Sequence, residues 1–335
     1  MQKNNELPKV AVLGGGSWAT ALVKILSDHA LRIHWWLKNE SDVMHLKQYG
    51  NNPRYLSNVQ INTRKVKPSV HLHKVIEDAS IIVLAVPSAF IADVLKNISK
   101  DAFKNKIIVS AVKGMIPEHD SLVTDYLQRV FDLPHSSLCV ISGPCHSEEI
   151  AMEKRSYLTI AGENAEHTSR VAEMFSTRYV KACTNADLRG IEYCAVMKNI
   201  IAIACGVARG LNYGDNFQAV LVSNAMAEIE HFLSIVHPAQ RNLLASAYLG
   251  DLLVTAYSPY SRNRTLGYLV GKGYSVRAAQ AEMNMVAEGY YAVACVERLN
   301  KRHDLNMPIT KAVYNILYEK ISPIMELRIL EEYLR

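Results

Sequence analysis

The sequence has no Cys-x-x-Cys pair, although it carries six cysteines (Cys139, Cys145, Cys183, Cys194, Cys205 and Cys295). Most of them sit inside apolar segments, which is the pattern of reduced core thiols and not of a disulfide framework or a zinc site. No metal is expected. The chain also has no large excess of one charge. A net charge of +5 suits an anionic small ligand and falls short of what a nucleic-acid partner asks. There is no internal repeat and no low-complexity linker. No uninterrupted apolar run approaches the length of a membrane span, so stable membrane insertion is not expected. The opening MQKNNELPK is polar with no apolar stretch behind it, so a signal peptide is not expected and a cytoplasmic location is. What is present is 335 residues, 49% hydrophobic and 21% charged, the composition of a soluble globular protein. That length exceeds one ordinary core and points to two domains.

The first half alternates short β-branched runs with amphipathic stretches. Residues 9–13, 32–36, 80–86, 106–112 and 137–142 read as strands, and 17–28, 88–98 and 120–130 as the helices between them. Such alternation implies a parallel sheet covered on both faces, which 156–162 and 178–184 extend. After residue 187 the strand signal stops, and helical patterns follow at 187–208, 216–236, 240–256, 275–282 and 287–301. The expected architecture is therefore a dinucleotide-binding α/β domain over 1–188 and an all-helical substrate-binding and catalytic domain over 189–335.

The segment VLGGGSWATAL follows the first strand directly. Gly14, Gly16 and Ala19 fit G-x-G-x-x-G/A, and Ser17 to Leu26 continue as an amphipathic helix. The first glycine allows the tight turn, the second lets the backbone approach a pyrophosphate, and the small third residue lets helix and strand pack closely. Strand, glycines and helix in that order are the Rossmann-type, doubly wound context that gives the motif its weight. An NAD-specific site of this kind places Asp or Glu against the ribose 2′-hydroxyl about twenty residues later. This sequence has WWLKN there, with Lys38 and no acid until Glu40. A cation at that point can face a 2′-phosphate, so NADPH is expected to be at least tolerated; a solvated loop lysine is the alternative.

IEYCAVMKNIIAIACGVARG (191–210) reads as one helix apolar on all sides, with Lys198 near its middle. Such a helix belongs in a core, where an ammonium group loses several kcal/mol of solvation unless something compensates. Either the lysine stem is covered while its head snorkels to water, or Lys198 faces a polar cleft, here expected between the domains.

Taken together these blocks resemble the NAD(P)-dependent glycerol-3-phosphate dehydrogenases of bacteria. The resemblance rests on GGGSWATAL, AVPS (85–88), SAVKG (110–114), ISGPCHSEE (141–149), GIEYCAVMKNIIAIACGVARGL (190–211), YLGDLLVTAYSPYSRNRTLG (248–267) and VAEGYY (286–291). It implies reduction of dihydroxyacetone phosphate to sn-glycerol 3-phosphate, the backbone precursor of phospholipids, and a homo-oligomer is expected. It also implies that Lys198 is the proton donor and acceptor at the C2 oxygen, in a catalytic set with Asn199 and Asp251. Lys113, Gly143, Cys145, Ser261, Arg262 and Asn263, together with Lys198 and Asp251, would contact substrate. Ser17, Trp18, Lys38, Lys113, Ser147, Arg262, Val286 and Glu288 would contact NAD(P)H. The sequence departs from the family pattern at Ala19, at Lys38 where arginine or histidine is frequent, at PCHS, and at Ser223-Asn224 where Arg-Gly is common. These departures bear on cofactor preference and feedback regulation and leave the catalytic set intact.

The chemistry fits these residue types. Hydride transfer to a ketone builds negative charge on oxygen, which needs a nearby proton donor. A lysine shielded from water with a second cation close by, such as Lys113, should titrate nearer neutrality. Asp251 inside an apolar run should face a polar cleft or a basic partner, with Lys198 and Arg262 as candidates. SRNR (261–264) offers hydroxyl, guanidinium and amide donors for a phosphate dianion. In SGPCHSEE, Pro144 reads as a helix start whose preceding amides point outward; His146 and Cys145 are given no catalytic role. Two alternatives remain: a related dehydrogenase acting on a 3-hydroxy acid, which would not need SRNR, and a non-catalytic NAD(P)H sensor, which would not need a buried proton donor.

Overall fold

The computed structural model describes residues 9–29, 32–283 and 285–335, so the opening polar segment lies outside it except for Lys9. The chain forms two compact units, one of residues 9–86, 90–112 and 124–188 and one of residues 87–89, 113–123 and 189–335. Two short segments, following the fourth and fifth strands, thus group with the C-terminal unit.

The first unit is built on an eight-stranded sheet: β1 (Lys9–Leu13), β2 (Arg32–Trp36), β3 (Val66–Ser69), β4 (Ile81–Leu84), β5 (Ile107–Ser110), β6 (Leu138–Ser142), β7 (Ser156–Ala161) and β8 (Val180–Asn185). Their order is β3-β2-β1-β4-β5-β6-β7-β8. β1 to β6 run parallel. The 3-2-1-4-5-6 arrangement is the doubly wound order, with its switch point between β1 and β4. β4, β5 and β6 are buried along their whole length, as strands covered on both faces must be. Helix α1 (Ser17–Ser27) buries Ala19, Leu22, Val23 and Leu26 in the same core as Val10, Val12, Ile33 and Trp35.

Two features of the sheet differ from the sequence reading. β3, with sequence VKPS, was not expected, because it is short and contains Pro68. It lies at the sheet edge and pairs only with β2, Pro68 opposite Trp35, where a missing ladder donor costs least. β7 joins β6 antiparallel, and β8 follows β7 in parallel. Between β6 and β7 the chain forms only the short helix Ser147–Ala151. That connection returns the chain without a full crossover helix, so the strand direction reverses.

The second unit is helical. Its main elements are α2 (Leu188–Gly210), α3 (Asp215–Val236), α4 (Asp251–Tyr257), α5 (Arg262–Gly271) and α6 (Glu288–His303). α2 and α3 are long and apolar enough on average to cross a bilayer by length and composition, although charged residues such as Lys198 and Glu228 interrupt their apolar runs; the most apolar 18-residue window of α2 is 100% buried inside the protein and that of α3 39%. The helix expected over 240–256 is shorter: a π-turn at Ser246–Gly250 leads into α4, and 238–245 is irregular. The wide turn ends at Asp251, and turns of this kind are frequent at functional sites. α2 and α5 cross backbone to backbone: Gly206 and Gly210 of one face Gly267 and Gly271 of the other, with no room for a Cβ at any of the four.

Candidate active site

In the first unit the glycine loop joins β1 to α1. Gly14 has φ +131°, and a Cβ there would collide with the Ala85 carbonyl at the end of β4, so only glycine fits. At Gly16, the N-cap of α1, an added Cβ would meet nothing within 4 Å. Gly16 brings no capping side chain, and the first turn of α1 carries no acid. A helix N-terminus opening on free space with no resident carboxylate suits an anion. Trp18 Nε1 donates to the Ala111 carbonyl at 3.0 Å, fixing the first turn of α1 over the end of β5. Lys38 is exposed just beyond β2.

The stretch after β6 also belongs to this unit. Gly143 has φ +110°, and a Cβ would stand 2.8 Å from the Tyr157 carbonyl. Cys145 is buried and its thiol donates to the Gly143 carbonyl at 3.1 Å. Ser147 is buried at the first position of its helix. The helix therefore starts three residues after Pro144 and not at it, with His146 as N-cap. The reading of Pro144 as a helix start is corrected accordingly: the positive φ of Gly143 turns the chain before the proline, and the backbone is still extended at His146, before the first helical residue, Ser147.

In the second unit, Lys198 is 3% exposed and its ammonium pairs with the Asp251 carboxylate, itself 1% exposed. The head does not snorkel to water. α2 supplies the lysine and the first residue of α4 the carboxylate, which answers what compensates a cation in an apolar helix. Thr255 Oγ1 bonds back to the Asp251 carbonyl at 2.6 Å within α4. Asn199, one residue on, donates through Nδ2 to the Lys113 carbonyl at 2.6 Å, holding the segment that carries Lys113.

The SRNR segment is not a loop. Ser261 is the N-cap of α5, accepting from Arg264 N at 3.3 Å, so Arg262 and Asn263 occupy its first turn. Asn263 is buried and its Oδ1 accepts from Gly289 N at 2.9 Å, tying the start of α5 to the start of α6. A Cβ on Gly289 would lie 2.5 Å from the Asn199 carbonyl, so α6 also rests directly on α2. Glu288, at the first position of α6, accepts from Ser88 N at 2.9 Å and from Ser88 Oγ. Burial pushes the Glu288 carboxyl above its ordinary range, and the Ser88 hydrogen bonds and the Arg262 charge pull it back. Val286 precedes this turn by two residues and is half-buried.

The structure thus places Lys113, Lys198, Asn199, Asp251, Ser261, Arg262, Asn263 and Glu288 in the helical unit, and Gly14, Gly16, Ser17, Trp18, Gly143, Cys145 and Ser147 in the α/β unit. Ser88 was read only as part of the AVPS block; its partnership with Glu288 spans 200 residues, and no local pattern signals it. The four crossing glycines were also missed, although their i, i+4 spacing on two helices is visible in the sequence.

Comparison with known proteins agrees across the chain. The family described as NAD-dependent glycerol-3-phosphate dehydrogenase matches with its N-terminal part over residues 9–168 and its C-terminal part over 187–328. Among curated relatives, glycerol-3-phosphate dehydrogenase [NAD(P)+] of Carboxydothermus hydrogenoformans is 35% identical over 94% of this chain and 94% of its own. The protein of the same name from Staphylococcus carnosus is 33% identical over 94% and 95%. The crystal structure of glycerol-3-phosphate dehydrogenase from Coxiella burnetii superposes with a TM-score of 0.91 at 29% identity, covering 97% of this chain and 99% of that one.

Proposed function

We infer that this chain, which belongs to the NAD-dependent glycerol-3-phosphate dehydrogenase family, reduces dihydroxyacetone phosphate reversibly to sn-glycerol 3-phosphate with NAD(P)H and so supplies the glycerophospholipid backbone. The observation that carries the reading is the buried Lys198–Asp251 pair in the same helical unit as the phosphate-suited first turn of α5. The α/β unit is the proposed dinucleotide-binding domain. Gly14 and Gly16 let a pyrophosphate approach the N-terminus of α1, and the open space at Gly16 fits that group. Ser17, Trp18, Lys38, Lys113, Ser147, Arg262, Val286 and Glu288 are the further proposed cofactor contacts.

The nicotinamide cofactor supplies the hydride when bound. Lys198 gives a proton to the C2 oxygen as negative charge grows on it, and in the reverse direction takes that proton back. Asp251 fixes the ammonium and balances its charge in the core. Asn199 acts on the Lys113 segment, whose side chain would hold substrate. Arg262, with Ser261 and Asn263, would bind the phosphate of the triose, and Gly143 and Cys145 complete the proposed substrate contacts. Mixing the protein with NADH or NADPH and dihydroxyacetone phosphate and following the loss of reduced-nicotinamide absorbance tests the assignment. Absence of turnover with both cofactors would favour a sensor, and turnover of an unphosphorylated 3-hydroxy acid would favour the other dehydrogenase class.

Recognition of the phosphate is expected to depend on Arg262. Arg262→Ala should raise KM for the triose phosphate steeply, because loss of a charge-assisted contact costs on the order of 2 kcal/mol or more. Unphosphorylated dihydroxyacetone should be a very poor substrate of the wild type. Wild-type kinetics in Arg262→Ala would remove SRNR from phosphate binding.

Cofactor choice is expected to depend on Lys38, which stands exposed where an acid would select NAD. NADPH should be used at least comparably to NADH, and Lys38→Ala should lower kcat/KM for NADPH more than for NADH. A strong NADH preference that Lys38→Ala leaves unchanged would count against a 2′-phosphate contact. A homo-oligomer is proposed with this reading, supported by the exposed apolar side chains Leu244, Leu253 and Tyr257 of the helical unit. The cytoplasm is the proposed location, supported by the complete burial of the apolar window of α2.

A further inference from the structure

We propose that Asn52 is a positioning residue for cofactor pyrophosphate, acting through the glycine loop; the proposal rests on the dehydrogenase reading above. Asn52 is 1% exposed and lies between the helix Glu40–Tyr49 and β3, outside every motif of the sequence. Its side-chain amide uses its full hydrogen-bonding capacity. Oδ1 accepts from Arg54 N at 3.0 Å and Tyr55 N at 3.2 Å, which fixes the orientation of the amide. Nδ2 donates to the Gly15 carbonyl at 3.0 Å and to Thr20 Oγ1 at 2.8 Å. Thr20 Oγ1 in turn donates to the Gly16 carbonyl at 3.0 Å.

The remaining carbonyl of the loop is held in the same way. Trp35 Nε1 donates to the Gly14 carbonyl at 2.6 Å. Three successive carbonyls, those of Gly14, Gly15 and Gly16, therefore point at buried donors. There are no cis peptide bonds among the described residues. In a trans peptide the C=O and N–H of one plane point in opposite directions. Holding those three oxygens inward aims the N–H groups of residues 15, 16 and 17 the other way, at the N-terminal end of α1 where an anion binds. The Gly16 carbonyl also accepts the first helical bond of α1, from Thr20 N at 2.9 Å. Asn52 supplies the bond that sets the Gly15 plane and, through Thr20 Oγ1, reinforces the Gly16 plane before any ligand arrives, and a preorganised donor set binds more tightly because less ordering remains to be done.

The test uses full-length protein with Asn52→Asp, Asn52→Ala, Thr20→Val and Thr20→Ser, with NADH and NADPH binding measured by direct titration and steady-state kinetics run below the melting range. Asn52→Asp keeps the bonds from Arg54 and Tyr55, loses the donors and adds a charge. Asn52→Ala removes the donors and the acceptor without adding charge. Both should weaken NADH and NADPH by the same factor, about tenfold or more, since one misdirected buried carbonyl has that effect and both cofactors share the pyrophosphate. KM for the triose phosphate and kcat at saturating cofactor should stay within about twofold, the signature of lost cofactor binding alone. Thr20→Val should show the same selective loss, and Thr20→Ser, which keeps the hydroxyl, should restore wild-type affinity. Variants with lower melting temperatures and unchanged cofactor affinity would overturn the proposal, leaving Asn52 purely structural. Loss confined to Asn52→Asp would overturn it in favour of charge repulsion. Thr20→Val keeps the test open if the Asn52 variants do not fold. A wild-type protein that binds neither cofactor overturns the dehydrogenase reading and this proposal with it, whereas a wild type that binds with variants that match it overturns this proposal only.

Discussion

Replacing Lys198 with methionine is expected to lower kcat by roughly 10²–10⁴-fold, the range for a positioned general acid. Cofactor affinity should hold, because the proposed pyrophosphate contacts lie on the glycine loop and α1. From sequence alone the variant should also fold at least as stably, since methionine keeps the length and removes a desolvated charge. The structure reverses the stability forecast. The Asp251 side chain is 2% exposed and pairs with Lys198, so removing the ammonium strands a buried carboxylate. Breaking one side of such a pair costs about 3–5 kcal/mol, which exceeds what losing the cation returns. Removing both charges, as Lys198→Met with Asp251→Leu, should recover most of that stability, because apolar replacement of a buried pair is often neutral or favourable. It should recover no activity. Thermal melts, cofactor titration and steady-state rates on the same preparations separate the two roles. A folded, cofactor-binding Lys198→Met with near wild-type kcat would leave the pair as core architecture and remove Lys198 from the chemistry.

The contrast shows which parts of the site were legible in the sequence. The glycine loop could be read because strand, glycines and helix are contiguous, and Lys198 because one charge interrupts an apolar helix. Asp251 was legible as a buried acid in need of a partner, but Lys198 and Arg262 remained equal candidates, since 53 residues separate the pair that forms. SRNR was legible by composition; that Arg262 and Asn263 form the first turn of α5, capped by Ser261, was not. Asn52 gave no signal, because its work is done through four bonds to backbone and to Thr20 across the loop, none of which has a sequence period. The same holds for β3. A proline is ordinarily a reason to reject a strand, and only the position of β3 at the sheet edge makes Pro68 acceptable. Local periodicity located the elements, and their long-range bonds decided how the site is held.

Gly267→Ala is expected to be among the most damaging single substitutions outside the proposed contacts. In an ordinary helix this change is favourable, since alanine exceeds glycine in helix propensity by about 1 kcal/mol. Here the added methyl would collide with the Ile203 carbonyl and stand 2.9 Å from both Ile203 C and Val207 N. These are backbone atoms of α2, which cannot rotate away as a side chain would. The helices must separate, and overpacking of this kind costs roughly 1–3 kcal/mol, with rigid backbone on both sides placing it at the upper end. The steric term outweighs the propensity gain, so the melting temperature should fall. Activity should fall further than stability explains. Ile203 lies one helical turn and a half beyond Lys198 on α2, and Gly267 a similar distance beyond Arg262 and Asn263 on α5. Pushing α5 away from α2 therefore moves the proposed phosphate-binding turn relative to Lys198, the proposed proton donor, and a misplacement of about 1 Å at such a site costs on the order of 100-fold in rate. Gly214→Ala is the control: an added Cβ meets nothing within 4 Å there, and it should cost under about 1 kcal/mol as an exchange at a helix N-cap. If Gly267→Ala melts at or above the wild-type temperature with full activity, the glycine crossing does not set the geometry of the site.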